Sequence, residues 1–209
     1  MNSLDEIAIK YKTDKSSMFH GYCDKYEKFL PFDREANLNI LEIGVSRAAS
    51  LRMWGDFYPN SLVYGIEIKP NAWLMSNTLD RITVLKGNQS DIGFLKDVCE
   101  THGPFDLIID DGSHNTRHQF VTFDYMIDQL KKDGVYIIED LSTSYWDEFK
   151  EDGFSMVDYL KDLVDDLNYY GAKHEGSFSR KEALLDQVYK RKYNFLSLLF
   201  INSACFIFK

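Results

Sequence analysis

The pattern of apolar and polar positions predicts strands that alternate with helices along most of the chain. Mainly apolar runs that predict strands recur at residues 38–44, 62–68, 82–87, 105–111 and 134–140. Leu107 to Ile109 are consecutive apolar residues, as expected for a central strand of a parallel sheet covered on both faces. Apolar positions at helical spacing predict helices over residues 51–57, 92–100, 117–131, 154–170 and 181–193. This order predicts an α/β fold with helices on both faces of the sheet.

The two ends of the chain depart from this alternation. Two short helical patterns lie within residues 1–36 and flank a polar segment, residues 12–21, which is either an ordinary exposed loop or a lid over a site. Residues 195–209 contain two β-rich runs around Asn202-Ser203, which predicts a closing hairpin. We expect one domain over residues 1–209, with the α/β core beginning at residue 37.

Composition and charge narrow the class of protein. A chain of 209 residues, 44% of them hydrophobic, suits one domain with a sizeable core. The net charge of -9 argues against a nucleic-acid partner. The N-terminus lacks a signal-peptide pattern, and no apolar run has the length of a membrane span. We therefore expect a cytoplasmic protein that does not span a membrane. A homo-oligomer is left open, and Cys23, Cys99 and Cys205 are interpreted as reduced packing residues.

Acidic residues and a histidine follow two of the predicted strands. Asp110 and Asp111 end one strand, Glu139 and Asp140 end the next, and His114 comes three residues after Asp111. Because open α/β sheets bind ligands beyond the carboxyl ends of their strands, these groups are expected to converge. No basic side chain stands beside them in the sequence, and clustered carboxylates repel each other, so the pattern predicts a hard divalent cation such as Mg²⁺.

The first predicted strand leads into a turn of small residues and then a helix. Such a turn lets a ligand approach backbone N–H groups, and Gly44 is the glycine that it requires. Glu67, about 20 residues further on, stands where Rossmann-like folds place an acid on ribose hydroxyls. A plain strand-to-helix connection is the alternative. After the third strand, Ser90 or Asp91 either caps a helix or contacts an adenine.

Three further side chains have two interpretations each. Tyr145 and Trp146, directly after the second acid pair, form either a core lid or a wall that stacks on a sugar. His118 lies one helical turn after His114 and either shares its face or lies on a helix surface.

Taken together, the motifs of the chain resemble those of the macrocin and mycinamicin type of sugar O-methyltransferases, which use S-adenosylmethionine and a metal. The resemblance covers most of the chain and rests on residues 11–15, 41–45, 50–54, 87–91, 110–114, 138–141 and 143–146. It implies the Rossmann-like class I methyltransferase fold, with a seven-stranded, mostly parallel sheet, a C-terminal antiparallel hairpin and helices on both faces.

The resemblance also implies a role for each matching residue. Asp111, Glu139 and Asp140 match metal ligands, and His114 beside Asp111 matches the general base. The residues implied for the cofactor are Thr13 and Lys15 in a closing motif, Glu42, Gly44 and Ser50 at its methionine end, Glu67 at the ribose, Gln89, Ser90 and Asp91 at the adenine, and Asp110.

The implied substrate is a 6-deoxyhexose such as rhamnose in a glycoside or glycan, contacted by Tyr145, Trp146 and His118. Two alternatives stay open, a catechol-type O-methyltransferase and a module that binds S-adenosylmethionine without catalysis. The hint for the second is Ala48, which replaces a glycine of the family's cofactor turn and adds a methyl group that could weaken cofactor binding.

Overall fold

The computed structural model describes residues 2–68, 81–174 and 193–209. Its sheet has seven strands in the order β3-β2-β1-β4-β5-β7-β6. Strands β1 to β5 are parallel, and β7 runs antiparallel to both β5 and β6. Their bounds are β1 Asn39–Ile43, β2 Leu62–Glu67, β3 Ile82–Lys86, β4 Phe105–Asp110, β5 Leu130–Ile138, β6 Ser197–Ile201 and β7 Ala204–Phe208. The predicted seven-stranded sheet and its closing hairpin are confirmed.

Six α-helices surround the sheet in the described part of the chain: α1 Leu4–Tyr11, α2 Cys23–Phe29, α3 Ala49–Phe57, α4 Ile92–His102, α5 Thr116–Met126 and α6 Met156–His174. Local sequence explains several of their ends. Ser3 and Glu6 form a reciprocal capping box at the start of α1, and the side chains of Asp91 and Asn115 cap α4 and α5. These caps satisfy backbone N–H groups that have no partner inside the helix.

Two apolar cores lie on the two faces of the sheet. The first face is covered by α1, α2 and α3, whose Leu4, Tyr26 and Trp54 pack on alternate strand residues such as Ile109. The second face is covered by α4, α5 and α6 and contains the intervening strand residues. Successive residues of a strand thus belong to opposite cores. The same alternation decides to which face each acid at a strand end points. The three cysteines are buried and free.

One predicted boundary is wrong. The helix expected over residues 117–131 ends at Met126, and after a short 3-10 turn Leu130 begins β5. Leu130 pairs with Phe105, so strand pairing overrides the helical spacing. Phe123 and Met126 are buried as expected. The helix predicted over residues 181–193 lies, except for its last residue, outside the described residues. Within the described ranges, no helix combines the length and hydropathy of a membrane span.

Candidate functional site

The acids at the strand ends are brought together by the register of three neighbouring strands. Ile43 of β1 pairs with Asp110 of β4, and Asp110 pairs with Ile138 of β5. The next residues along, Asp111 and Glu139, therefore lie side by side beyond the carboxyl ends of their strands. The predicted convergence of β4 and β5 acids is what this register produces.

Strand alternation sends the adjacent acids Asp110 and Asp111 to opposite faces. The side chain of Asp111 lies on the first face of the sheet, where it forms an ion pair with Lys15. Asp110 is fully buried toward the second face, where it accepts hydrogen bonds from Gln89 (3.1 Å), the Gly112 backbone (3.3 Å) and Tyr136 (3.4 Å). Burial raises the pKa of Asp110 to about 7, although these donors act in the opposite direction.

A buried lysine lies among the acids of the first face. The Nζ of Lys15 is 2.6 Å from Asp111 Oδ2, 2.6 Å from Glu139 Oε2 and 3.6 Å from Glu42 Oε1. The expectation that the acids have no basic neighbour is therefore wrong. Lys15 is distant in sequence from all three of its partners, so adjacency along the chain gives no sign of the pairing.

Burial and charge act against each other in this cluster. Burial by itself would lower the pKa of Lys15, but Asp111, Glu139 and Glu42 outweigh it and hold that pKa well above its usual value. Burial raises the pKa of Glu139, and the ammonium of Lys15 opposes that rise. Lys15 is thus a charged counter-ion for buried carboxylates.

Two tyrosines of the N-terminal segment also contact the acids. Tyr26 donates a short hydrogen bond to Glu139 Oε1, and Tyr22 donates to Asp140 Oδ1 at 2.8 Å. Their helical spacing indicates burial but says nothing about the hydroxyl groups. Both oxygens of Glu139 are therefore engaged, one by Tyr26 and one by Lys15.

Asp111, His114 and Asp140 form a three-residue group at the mouth of the site. Each offers one ligand atom, and the three atoms lie within 4.8 Å of one another. His114 and Asp140 both have positive φ, 57° and 52°, which turns them back toward the strand ends. Nδ1 of His114 is buried without a hydrogen-bond partner in the described part of the chain. The two carboxylates fit a hard divalent cation, and the imidazole lies close enough to accept a proton from a group bound beside it.

The metal ligands predicted from the resemblance overlap with this group without matching it. Asp111 and Asp140 belong to both sets. The structure groups His114 with them, whereas Glu139 is turned toward Lys15 and Tyr26.

The turn after β1 forms the other side of the cleft. Gly44 has a φ of +80°, and a Cβ there would lie 2.1 Å from the Asp111 carbonyl oxygen, so only glycine fits. Glu67 Oε2 accepts from the backbone N–H groups of Val45 at 3.2 Å and Ser46 at 2.7 Å, so it also supports the turn that it faces. A cleft of about 440 Å³ extends along Gly44, Glu67, Gln89, His114 and Asp140.

Glu42 and Ser50 lie at the inner end of the turn. Glu42 is fully buried, accepts a hydrogen bond from Trp54 at 2.9 Å and interacts with Ser50. Its other oxygen, Oε1, has no hydrogen-bond partner among the described residues. Thr13 lines a second cavity beside Gly44 and Ser50. The predicted methionine-end residues are thus adjacent in space.

Ala48 has positive φ (57°), which explains the preference for glycine at this position. Its side chain is buried in the core of the first face, at 1% exposure.

The three residues implied for the adenine differ in their surroundings. Gln89 donates to Asp110 and Thr122 and accepts from the Ser113 backbone, so it braces the strand end against α5. Ser90 bonds to Asn88, and Asp91 is exposed and caps α4. Of the three, Gln89 lines the cleft.

The residues implied for the substrate are two exposed aromatic side chains and a histidine that lines the cleft. Tyr145 and Trp146 are exposed, by 71% and 55%, which excludes the core-lid interpretation. Trp146 lies 5.8 Å from the ring of Phe149, which in turn lies 6.3 Å from the ring of His114. His118 lines the cleft, with its Nδ1 2.9 Å from Ser113 Oγ.

No protein-family model matches the chain. Among curated proteins, it is 34% identical over 179 residues to 8-demethyl-8-(2-methoxy-alpha-L-rhamnosyl)-tetracenomycin-C 3'-O-methyltransferase of Streptomyces olivaceus. It is 34% identical over 180 residues to L-olivosyl-oleandolide 3-O-methyltransferase of Streptomyces antibioticus, and 31% identical over 179 residues to mycinamicin VI 2''-O-methyltransferase of Micromonospora griseorubida. Each match covers 79% of this chain and 44–46% of the relative, so the chain spans just under half the length of these proteins.

The chain is also similar to solved structures of methyltransferases. The MycE methyltransferase from the mycinamycin biosynthetic pathway, in complex with Mg and SAH, superimposes with a TM-score of 0.83 at 27% identity, over 99% of this chain and 53% of that one. A putative caffeoyl-CoA O-methyltransferase from Staphylococcus aureus shares the fold, with a TM-score of 0.57 at 16% identity over 100% of this chain and 93% of that one.

Proposed function

Because this chain is related to the macrocin and mycinamicin type of sugar O-methyltransferases, we propose that it transfers a methyl group from S-adenosylmethionine to a sugar hydroxyl with the help of a divalent cation. The observation that carries the proposal is the grouping of Asp111, His114 and Asp140 in a cleft that Gly44, from the turn after β1, also lines.

The cofactor would lie along the turn. Gly44 allows close approach to the backbone, Glu67 would face the ribose, and Glu42, beside Ser50, would lie at the methionine end. Bound there, S-adenosylmethionine supplies an electrophilic methyl group. The chain's own task is to hold the acceptor hydroxyl in line with that methyl group and to remove its proton.

Proton removal is assigned to His114. A sugar hydroxyl is too weak an acid to ionise unaided, and a divalent cation held by Asp111 and Asp140, joined by Glu139 as the resemblance implies, would lower its pKa. His114 has one buried ring nitrogen without a partner and lies beside both carboxylates, so it is placed to accept the proton.

The substrate class that we propose is a glycoside of a 6-deoxyhexose such as rhamnose. The relatives from Streptomyces act, by name, on rhamnosyl and olivosyl compounds. The exposed rings of Tyr145 and Trp146 offer a stacking surface for the apolar face of such a sugar.

The test is methyl transfer from S-adenosylmethionine to an α-L-rhamnoside and, in parallel, to catechol, each with Mg²⁺ and after exhaustive chelation. We expect a methylated rhamnoside that requires the added ion. Methylation of catechol alone would favour the catechol-type alternative. Calorimetric binding of S-adenosylmethionine without any transfer would favour the non-catalytic module, and full turnover after chelation would contradict metal dependence.

A second comparison tests how the hydroxyl is held. Rhamnosides that lack the hydroxyl next to the methylated one should react more slowly, because a vicinal pair can chelate the ion. Unaltered rates on these analogues would rule out chelation by two hydroxyls.

A further inference from the structure

Among the charged side chains that the structure describes, Lys15 is unusual in its burial. Its side chain is 1% exposed, as is that of Glu139, and Glu42 is fully buried. Lysine is almost never fully buried unless it is paired, and here it is paired with three carboxylates. Lys15 belongs to the polar segment 12–21, which connects α1 to α2.

The backbone fixes this lysine in place. Lys12 ends α1 in the left-handed conformation, and the Lys15 carbonyl accepts from the backbone N–H groups of Tyr22 at 2.9 Å and Cys23 at 3.2 Å. The start of α2 is thus bonded to the residue whose side chain reaches the strand ends. The ammonium group of Lys15 thereby links segment 12–21 to Asp111 and Glu139, the residues that directly follow β4 and β5.

Two of the carboxylates that hold Lys15, those of Glu139 and Asp111, are also ligands that the resemblance implies for the divalent cation. Glu139 Oε2 and Asp111 Oδ2 each accept from Nζ at 2.6 Å, and Glu139 Oε1 accepts from Tyr26. A cation that ligates Glu139 Oε2 has to lie beside the Lys15 ammonium, which already bonds to this oxygen. A divalent cation and an ammonium group on the same carboxylates also repel each other strongly in a buried site.

We propose that the Lys15 ammonium and the divalent cation compete for Glu139 and Asp111, so that Lys15 sets the affinity for the ion and ion binding loosens segment 12–21. This inference rests on the divalent cation of the proposed function. It makes Lys15 a positioning residue: the ion gains Glu139 as a ligand only when Lys15 releases it.

The first test is calorimetric titration of the protein with Mn²⁺, in the absence of cofactor and substrate. Lys15→Met keeps the unbranched stem and removes the charge, so we expect it to bind Mn²⁺ at least about tenfold more tightly than the wild type. Lys10→Met is the matched control, because Lys10 is an exposed lysine paired with Asp56 at 2.7 Å, and its affinity should equal that of the wild type.

The outcomes separate the inference from the proposed function. Mn²⁺ affinity that is unchanged or weaker in Lys15→Met would overturn the competition and make Lys15 a purely structural residue. If neither protein bound Mn²⁺, the metal-dependent function itself would fail, and the inference with it.

A second measurement uses the wild-type protein alone and does not depend on the variant folding. Hydrogen exchange at the Tyr22 and Cys23 amides, which are bonded to the Lys15 carbonyl, should become faster when Mn²⁺ is added. The Leu95 amide in α4, bonded to the Asp91 carbonyl at 2.9 Å, serves as an internal reference. Unchanged or slower exchange at Tyr22 and Cys23 relative to Leu95 would overturn the proposal.

Discussion

Asp110 and Asp111 are neighbours in sequence, but their side chains lie on opposite faces of the sheet and contact groups of different charge. Asp111 lies on the first face and is neutralised by the ammonium of Lys15. Asp110 lies on the second face, where it accepts hydrogen bonds from Gln89, a backbone N–H and Tyr136, none of which carries a charge. The first face therefore holds a carboxylate that is paired with a cationic group, whereas the second holds a carboxyl group whose pKa is raised to about 7.

The end of β4 thus places two adjacent carboxyl groups in two different environments. A side-chain period of two divides consecutive acids between two environments, and the environment decides whether a carboxyl group is a ligand or part of the scaffold. An acid pair in a sequence is therefore not evidence that both members act on the same ligand.

The largest expected effect comes from neutralising the acid of the first face. Asp111→Asn should lower the rate of methyl transfer by about 1,000-fold or more, beyond the roughly 10- to 100-fold typical of groups that only support metal ligands. Cofactor affinity should change little, because the cofactor turn is built from β1 and β2. Single-turnover assays and calorimetry with S-adenosylmethionine measure the two quantities.

Asp110→Asn is the matched control for this change, since it alters the same functional group one residue away. Its rate should stay within about tenfold of the wild type. A loss in Asp110→Asn as large as that in Asp111→Asn would contradict the division of roles between the two faces.

The second prediction extends the comparison to the histidines. His114→Ala should lower kcat by about 100-fold with little change in KM for the sugar, in line with the loss of a positioned general base. His118→Ala should have a smaller effect on kcat, because His118 contacts Ser113 and is not one of the three grouped residues. Steady-state kinetics of both variants check this, and equal losses in kcat would remove the distinction between them.

Much of the fold follows from local patterns. The apolar runs and their order predicted the sheet and the hairpin, because buried strands and helices have different periods. The end of the helix after Asn115 could not be predicted, since Leu130 continues a helical stripe and only its pairing with Phe105 makes it a strand residue.

The sequence predicts that the acids of the site come together, but it does not predict which side chains bond to them. Asp111, His114 and Asp140 could be placed together because strand ends meet at one edge of a sheet. The Lys15 contact joins residues 96 and 124 positions apart, and the Tyr26 hydroxyl contact joins residues 113 apart, so no local spacing signals them.

The third prediction concerns the pH dependence of stability. Asp110 has a folded-state pKa of about 7, above the value of about 3.9 in an unfolded chain. The folded state thus holds the proton more tightly, and this group's contribution to stability is present below about pH 4 and is lost as the pH rises to about 7. Asp110→Asn lacks this loss and retains an acceptor oxygen for Gln89.

We therefore expect the melting temperature of Asp110→Asn, relative to wild type, to rise between pH 5 and pH 8, with thermal unfolding followed by circular dichroism at both values. Asp106→Asn, which removes an acid paired with Lys131 at the opposite end of β4, provides a comparison. A relative melting temperature that falls with pH would contradict the assignment of a raised pKa to Asp110.

The smallest expected effect is at Ala48, where relief of strain and loss of packing oppose each other. A non-glycine residue in the left-handed conformation costs about 1–2 kcal/mol. Ala48→Gly removes this cost but gives up a buried methyl group, worth about 0.8 kcal/mol, and about 0.4–1 kcal/mol of unfolded-state entropy. We expect the free energy of unfolding in urea to change by less than about 1 kcal/mol. Because the methyl group lies in the core at 1% exposure, affinity for S-adenosylmethionine should also stay unchanged. A tenfold gain in that affinity would mean instead that the methyl group obstructs the cofactor.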